Sequence, residues 1–290
     1  MNAGRALIAA CAMLGAPEAH SRVSRMTHQF DEETRLQPGP DGRWTGRVHP
    51  AWNIGANPNG GYLMSLAMSA MGRLVPQHPD PLSITAHYLR PGSADVACEV
   101  EATVIRSGRS LSTARATLAQ EGKPRLEVVA ALGALGEPGA ARLTVPAPEI
   151  PPPEACVGRS GAQQGIELPI LERIEVRLHP REARAGEAGR AQVTGWIRLR
   201  DGREPDSHAA VLFADAFPPA VFGLLGVVGW VPTLELTVHV RRRPAPGWLL
   251  GRFRTRDLVD GRMVEDGMLW DSTGELVAQA RQLALVRVPG

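Results

Sequence analysis

TAHYLRP at residues 85–91 and TVHVRRRP at residues 237–244 set Thr, His, Arg and Pro in the same order twice, and this echo divides the 290-residue chain. The turns keep step with it: Gly108-Arg109 follows His87 at nearly the separation by which Gly261-Arg262 follows His239. Runs of alternating and β-branched residues bounded by Gly, Pro and Asp predict strands around each copy. In the first half a strand over 44–48 and a Pro/Gly/Asn loop over 50–59 lead to GGYLMSLAMSAMGRLV at 60–75. That stretch is apolar nearly all round, so it predicts a buried helix, with Asn57 or Asn59 as its cap. Strands over 83–90, 96–107, 110–120 and 125–135 follow. In the second half strands are predicted over 170–178, 192–200, 233–243, 248–256, 263–270 and 276–288, with a helix before the third. Residues 137–165, rich in Pro and small side chains, read as a linker between halves at 26–136 and 166–290. A period this long is that of a duplicated domain rather than of a solenoid.

The helix of the second half is DSHAAVLFADAFPP at 206–219. Asp206 fits an N-cap, and Pro218-Pro219 ends the helix by removing amide donors. Between Ala209 and Phe217 every side chain is apolar except Asp215, so the helix has no polar face and must be buried on all sides. An ionised carboxylate there has to be paired, hydrogen-bonded or raised in pKa, which makes Asp215 a site candidate. An acid tied to a backbone amide or an Arg for structural reasons is the other reading. The first-half helix carries no acid.

Composition narrows the partners. A net charge of +2, from 32 basic against 30 acidic residues, gives no general attraction to nucleic acid or anionic lipid, and points to a small molecule. Lys123 is the sole lysine and sits in a turn-like EGKP, which argues against Schiff-base chemistry. Cys11, Cys98 and Cys156 are far apart with no CxxC pair, so neither a metal site nor a disulfide framework is expected, and a reducing, cytoplasmic setting suits them. The apolar run at 221–231 contains three glycines and a Trp and falls short of the roughly 20 residues of a membrane span. GxSxG, HExxH and P-loop motifs are absent. Residues 1–25 carry a faint secretory-signal pattern, but their apolar run is short and interrupted; a start at Met26 is the favoured reading, with the extension dispensable.

An antiparallel sheet wrapped around one long buried helix is the hotdog fold, so the predicted class is α+β, a double hotdog whose two sheets pair edge to edge. From Trp44 to Arg287 the chain resembles the acyl-CoA thioesterase II family and the wider thioesterase-like superfamily. The resemblance rests on NGGYLMSLAMSAM (59–71), HYLRPGS (87–93), IRSGRSLSTARATLAQEGKP (105–124), FADAFPP (213–219), PTLELTVH (232–239) and LWDSTGELVAQARQ (269–282). It implies hydrolysis of acyl-CoA in fatty-acid metabolism, by a water held between an Asp, a Thr and a Gln of the second half. By position these are Asp215, Thr233 and Gln282. Neither a cofactor nor a covalent acyl-enzyme is implied, and a homodimer is compatible with it.

The residues support parts of this independently. Alternation over 276–288 puts Gln282 with Ala278, Ala280 and Ala284 on the inward face, where its amide needs a partner. Thr233 falls on the outward face with Glu235, Thr237 and His239 under strict alternation; Thr237 competes for the role, and only a bulge at the strand start would turn Thr233 inward. Gly60 and Gly61 permit close approach at a helix start, either to hold a developing oxyanion and line the substrate pocket or simply to pack. Arg252, Arg254, Arg256 and Arg241 to Arg243 read as a solvated face, with binding of CoA phosphates as the alternative. His87 and His239 read as sheet residues, and His208 with Asp206 stands in reserve. A hotdog hydratase would need an Asp/His pair in a DxNxxH-like run, which is absent; a non-catalytic acyl-binding protein is the other alternative.

Overall fold

The computed structural model describes residues 27–136 and 143–287, and the extension read over 1–25 lies outside them. In the first half, helix α1 (Gly60–Leu74) is capped by Asn59, whose Oδ1 accepts from the Tyr62 N–H at 2.9 Å. Every residue from Gly61 to Met68 is buried, as a helix with no polar face requires. Its sheet is made of β1 (Trp44–Arg47), β2 (Asp80–Tyr88), β3 (Ala97–Ser107), β4 (Leu111–Gln120) and β5 (Lys123–Gly133). The second half contributes β6 (Ile174–Leu178), β7 (Gln192–Leu199), β8 (Thr233–Val240), β9 (Leu249–Val259), β10 (Arg262–Trp270), β11 (Leu276–Leu285) and helix α2 (Ser207–Phe213).

These strands run antiparallel and join into one 13-stranded sheet, while Asn53–Ile54 and Asn57–Pro58 form a separate two-stranded ladder just before α1. Its order is β1-β3-β4-β5-β2-β8-β11-β10-β9-β7-β6, extended by the two-residue strands Gln37–Pro38 and Val157–Gly158 at its two ends. The halves meet where β2 pairs with β8, and there the two copies of the echo face each other. Thr85 is directly opposite Thr237, their hydroxyls 2.9 Å apart. Pairing of equivalent residues across an antiparallel junction is what a local two-fold relation between the halves produces.

The halves differ in their helices. Where a long helix is expected, α2 has 7 residues against the 15 of α1. Asp206 caps it as predicted, accepting from the Ala209 N–H at 2.8 Å. Beyond Phe213 the turns tighten: the Asp215 N–H reaches Leu212 O and the Ala216 N–H reaches Phe213 O. Pro218 and Pro219 then have no N–H with which to continue.

The core runs through both halves without a break. Ion pairs add to the junction: Arg173 to Glu33 and Arg203 to Asp31 at 2.8 Å each, and Arg243 to Asp80 at 2.8 Å. The stretch read as a linker is not free. Trp270 Nε1 donates to Val145 O at 2.8 Å, Trp196 Nε1 donates to Pro151 O at 2.9 Å, and Val157–Gly158 pairs with β6, so its described part lies along the second half. No described helix is long and apolar enough to cross a membrane.

Candidate active site

The early end of α2 decides how Asp215 is presented. Instead of pointing from mid-helix, Asp215 lies one residue beyond the C-cap Ala214 and is half-buried, facing the start of α1. Its Oδ2 accepts from the Gly61 N–H and from Asn59 Nδ2, both at 2.9 Å, while Asn59 Nδ2 also donates to Asp215 O at 2.8 Å. The approach needs glycine. A Cβ at Gly60 would stand 2.9 Å from Asp215 Oδ2 and 2.8 Å from the Tyr88 hydroxyl, and one at Gly61 would stand 2.9 Å from Leu212 O. Burial pushes the Asp215 carboxyl up to about 6, against the opposing pull of these donors. Of the two helix-start glycines, Gly61 has its N–H on the carboxylate, and Gly60 lies in the wall beside it.

Thr233, Gln282 and Glu265 form a second chain of contacts. Pairing of β8 with β11 shifts register between Thr233 and Glu235, and this bulge is the device that turns Thr233 inward. The Thr233 hydroxyl donates to Gln282 Oε1 at 3.0 Å, and Gln282 Nε2 donates to Glu265 Oε1 at 3.0 Å. Glu265 is 5% exposed, and its Oε2 accepts from the Ala220 N–H at 2.7 Å and from Thr255 Oγ1 at 3.3 Å. Burial is the main cause that raises its carboxyl to about 7, and the nearby Asp215 charge adds to it. Thr237, the competing hydroxyl, is bonded to Glu235 and Thr85 at the junction of the halves.

Asp215, Thr233, Gln282, Gly60, Glu265 and Tyr88 all line one cavity of about 470 Å³, whose remaining wall is largely apolar, with Leu63, Phe217, Phe222, Trp230 and Leu234 among it. No direct hydrogen bond joins Asp215 to the Thr233–Gln282 pair among the described residues. Tyr88 closes the wall beside Gly60. Its hydroxyl is buried without a partner, and burial together with the charges of Asp215 and Glu235 holds its pKa well above the ordinary value, so it stays protonated. Arg159, 7% exposed, donates to Ala216 O at 2.7 Å and to Gln164 at 3.0 Å, pinning the residue that follows Asp215.

The other candidates lie elsewhere. His208 is bonded to Pro79 O and Asp206 to Arg203, and neither lines the cavity. Arg252 stacks on Trp270, Arg254 is bonded to Gln192 and Arg256 to Asp266, likewise away from it. Glu265 and Tyr88 are absent from the sequence expectations. Glu265 shares the buried face of β10 with Met263, Gly267 and Leu269, but its neighbour Asp266 alternates with the equally apolar Val264, Met268 and Trp270, so alternation alone does not choose between them.

Residues 48–136 match the model of the acyl-CoA thioesterase N-terminal domain, and residues 149–286 match that of the C-terminal domain. The chain belongs to the acyl-CoA thioesterase family. An uncharacterised protein of Mycobacterium tuberculosis is 30% identical over 270 residues, covering 83% of this chain and 90% of that protein. The crystal structure of a candidate thioesterase II from Thermobifida fusca superposes with a TM-score of 0.81 at 32% identity, covering 90% of this chain and 98% of that one. A hotdog-fold protein of Alicyclobacillus acidocaldarius superposes at 0.78 with 25% identity, covering 91% and 100%. This acyl-CoA thioesterase is thus a thioester hydrolase on a hotdog fold.

Proposed function

We propose that the enzyme hydrolyses an acyl-CoA with an apolar acyl group to the free acid and CoA, with Asp215 as general base in a site shared by the two units of a double hotdog. The observation that carries this is a carboxylate with a proton affinity near neutral, in an apolar cavity, opposite a hydroxyl–amide pair. Thr233 gives its only proton to Gln282, so toward the cavity its oxygen is an acceptor. A water lying between Asp215 and Thr233 then has an acceptor for each hydrogen and a lone pair for the thioester carbon. As its oxygen bonds to that carbon, Asp215 takes one proton. The second Nε2 hydrogen of Gln282 and the Tyr88 O–H are the donors left for the developing oxyanion. Collapse breaks the C–S bond, and Asp215 returns the proton to the CoA thiolate. Gly60, Gly61 and Asn59 serve by holding the base in place.

A thiol-release assay over acyl-CoA esters of graded length and branching tests the reading. Hydrolysis of at least one ester is expected; no thiol release alongside hydration of an enoyl-CoA would replace hydrolysis with the hydratase alternative.

A further inference from the structure

Gln282 has two ends, and the chemistry at Thr233 depends on which way round they lie. Only a group beside the amide can settle this, because either end of a carboxamide hydrogen-bonds to a hydroxyl. Glu265 is that group. Its ladder position is directly opposite Gln282 on β10, and in the ionised form that its N–H partners favour it is an acceptor at both oxygens, with Oε2 already filled by Ala220 and Thr255. The end of Gln282 that meets Oε1 must therefore be the N–H₂ end, as observed at 3.0 Å. The carbonyl end is left to Thr233, whose hydroxyl has to donate to it. We propose that Glu265 is a positioning residue that sets the sense of the Gln282 amide and, through it, makes Thr233 an acceptor toward the cavity. Without Glu265 the amide can rotate, Thr233 can receive a hydrogen bond instead of giving one, and its proton then points where the water should be held. This rests on the proposed role of the Thr233–Gln282 pair.

Glu265→Gln is the incisive change. It keeps size and an oxygen for Ala220 and Thr255, but presents an N–H₂ group to Gln282 and so favours the reversed amide. The expected result is a fall in kcat of about 10- to 100-fold with KM changed less than about 3-fold, since the reacting water and not the acyl group is misplaced. In a Gln282→Ala background the same substitution should cost less than about 3-fold, because the route through the amide is gone. An equal loss in both backgrounds would overturn the proposal and leave Glu265 as an anchor of the Ala220 loop. So would no loss in either. A spectrum reads the amide itself. In a ¹⁵N–¹H spectrum, with the Gln282 side-chain amide assigned by its absence in Gln282→Ala, one of its hydrogens should exchange slowly in the parent and in Thr233→Val, and exchange fast in Glu265→Ala. Slow exchange that survives in Glu265→Ala, or is lost in Thr233→Val, would place the N–H₂ end at Thr233 and overturn it. Should the parent enzyme release no thiol from any ester, the hydrolytic reading fails, while this spectrum still decides the amide.

Discussion

The two halves keep the same strand pairings and differ in what those strands display. In the first, the pairing of β2 with β5 shifts register between Pro81 and Ser83; in the second, the pairing of β8 with β11 shifts between Thr233 and Glu235. Aligning Thr85 with Thr237 puts Pro81 at the place of Thr233. Carried across the ladders, the same alignment puts Ala130 at the place of Gln282 and Ala114 at that of Glu265. The backbone device that turns a hydroxyl inward is thus present twice, but only one copy has the hydroxyl, the amide and the acid. The first half has put its helix to another use: α1 keeps all 15 residues and offers its N-terminal amide to the acid of its neighbour. Frame and chemistry are separable, and the site needs one half for each.

The sharpest way to break the comparison is to remove the acid that only the second half carries. Asp215→Asn keeps size and most hydrogen bonding, so a base predicts a loss of about 10² to 10⁴ in kcat with the cooperative melt retained. Parental activity with a normal melt would return Asp215 to a structural role. Exchanging residues at equivalent positions comes next. Gln282→Ala, which makes the second half like the first, should lower kcat by about 10- to 100-fold and leave the melting temperature within a few degrees. Ala130→Gln, the reverse change, buries an amide without a partner and should cost about 1–3 kcal/mol of stability with kcat unchanged. If both variants lose activity without losing stability, the halves are not divided as described.

The smallest effect is on pH dependence. Folding raises the Asp215 carboxyl from 3.8 to about 6 and the Glu265 carboxyl from 4.5 to about 7. Each binds its proton more tightly in the folded chain, so its contribution to stability is fully present below the unfolded value and is lost as pH rises through the folded one. With Asp215 as the proposed base, activity requires it ionised and runs the other way. Between about pH 5 and pH 8, kcat/KM should rise while the melting temperature falls by a few degrees, and Asp215→Asn should flatten that fall. Parallel movement of activity and stability would contradict the assignment.

The duplicated strand order could be read directly, because alternation and turn residues are local signals. Asp215 and Gln282 stood out for a related reason: each is a polar group among apolar neighbours. Thr233 could not be placed, since a bulge reverses the face and leaves no mark in the residues themselves. The length of α2 was overestimated because helix propensity continues through Ala214 to Phe217, whereas the backbone there closes tighter turns well ahead of the prolines. Tyr88 was hidden by what lies opposite it, a glycine 28 positions away in α1. Glu265 sat in plain alternation beside Asp266, but which of two neighbouring acids faces inward is decided only once the register is known.

One side chain ties the site to the mechanics of the fold. The Asn59 carboxamide closes the first turn of α1 with its oxygen and grips Asp215 with its nitrogen, at both the main chain and the carboxylate. Fraying of that turn and release of the base are therefore a single event. With Asp215 as the proposed base, the first half guards the reactivity of the second through a shared hinge pin: wherever the helix start breathes, the enzyme is momentarily disarmed.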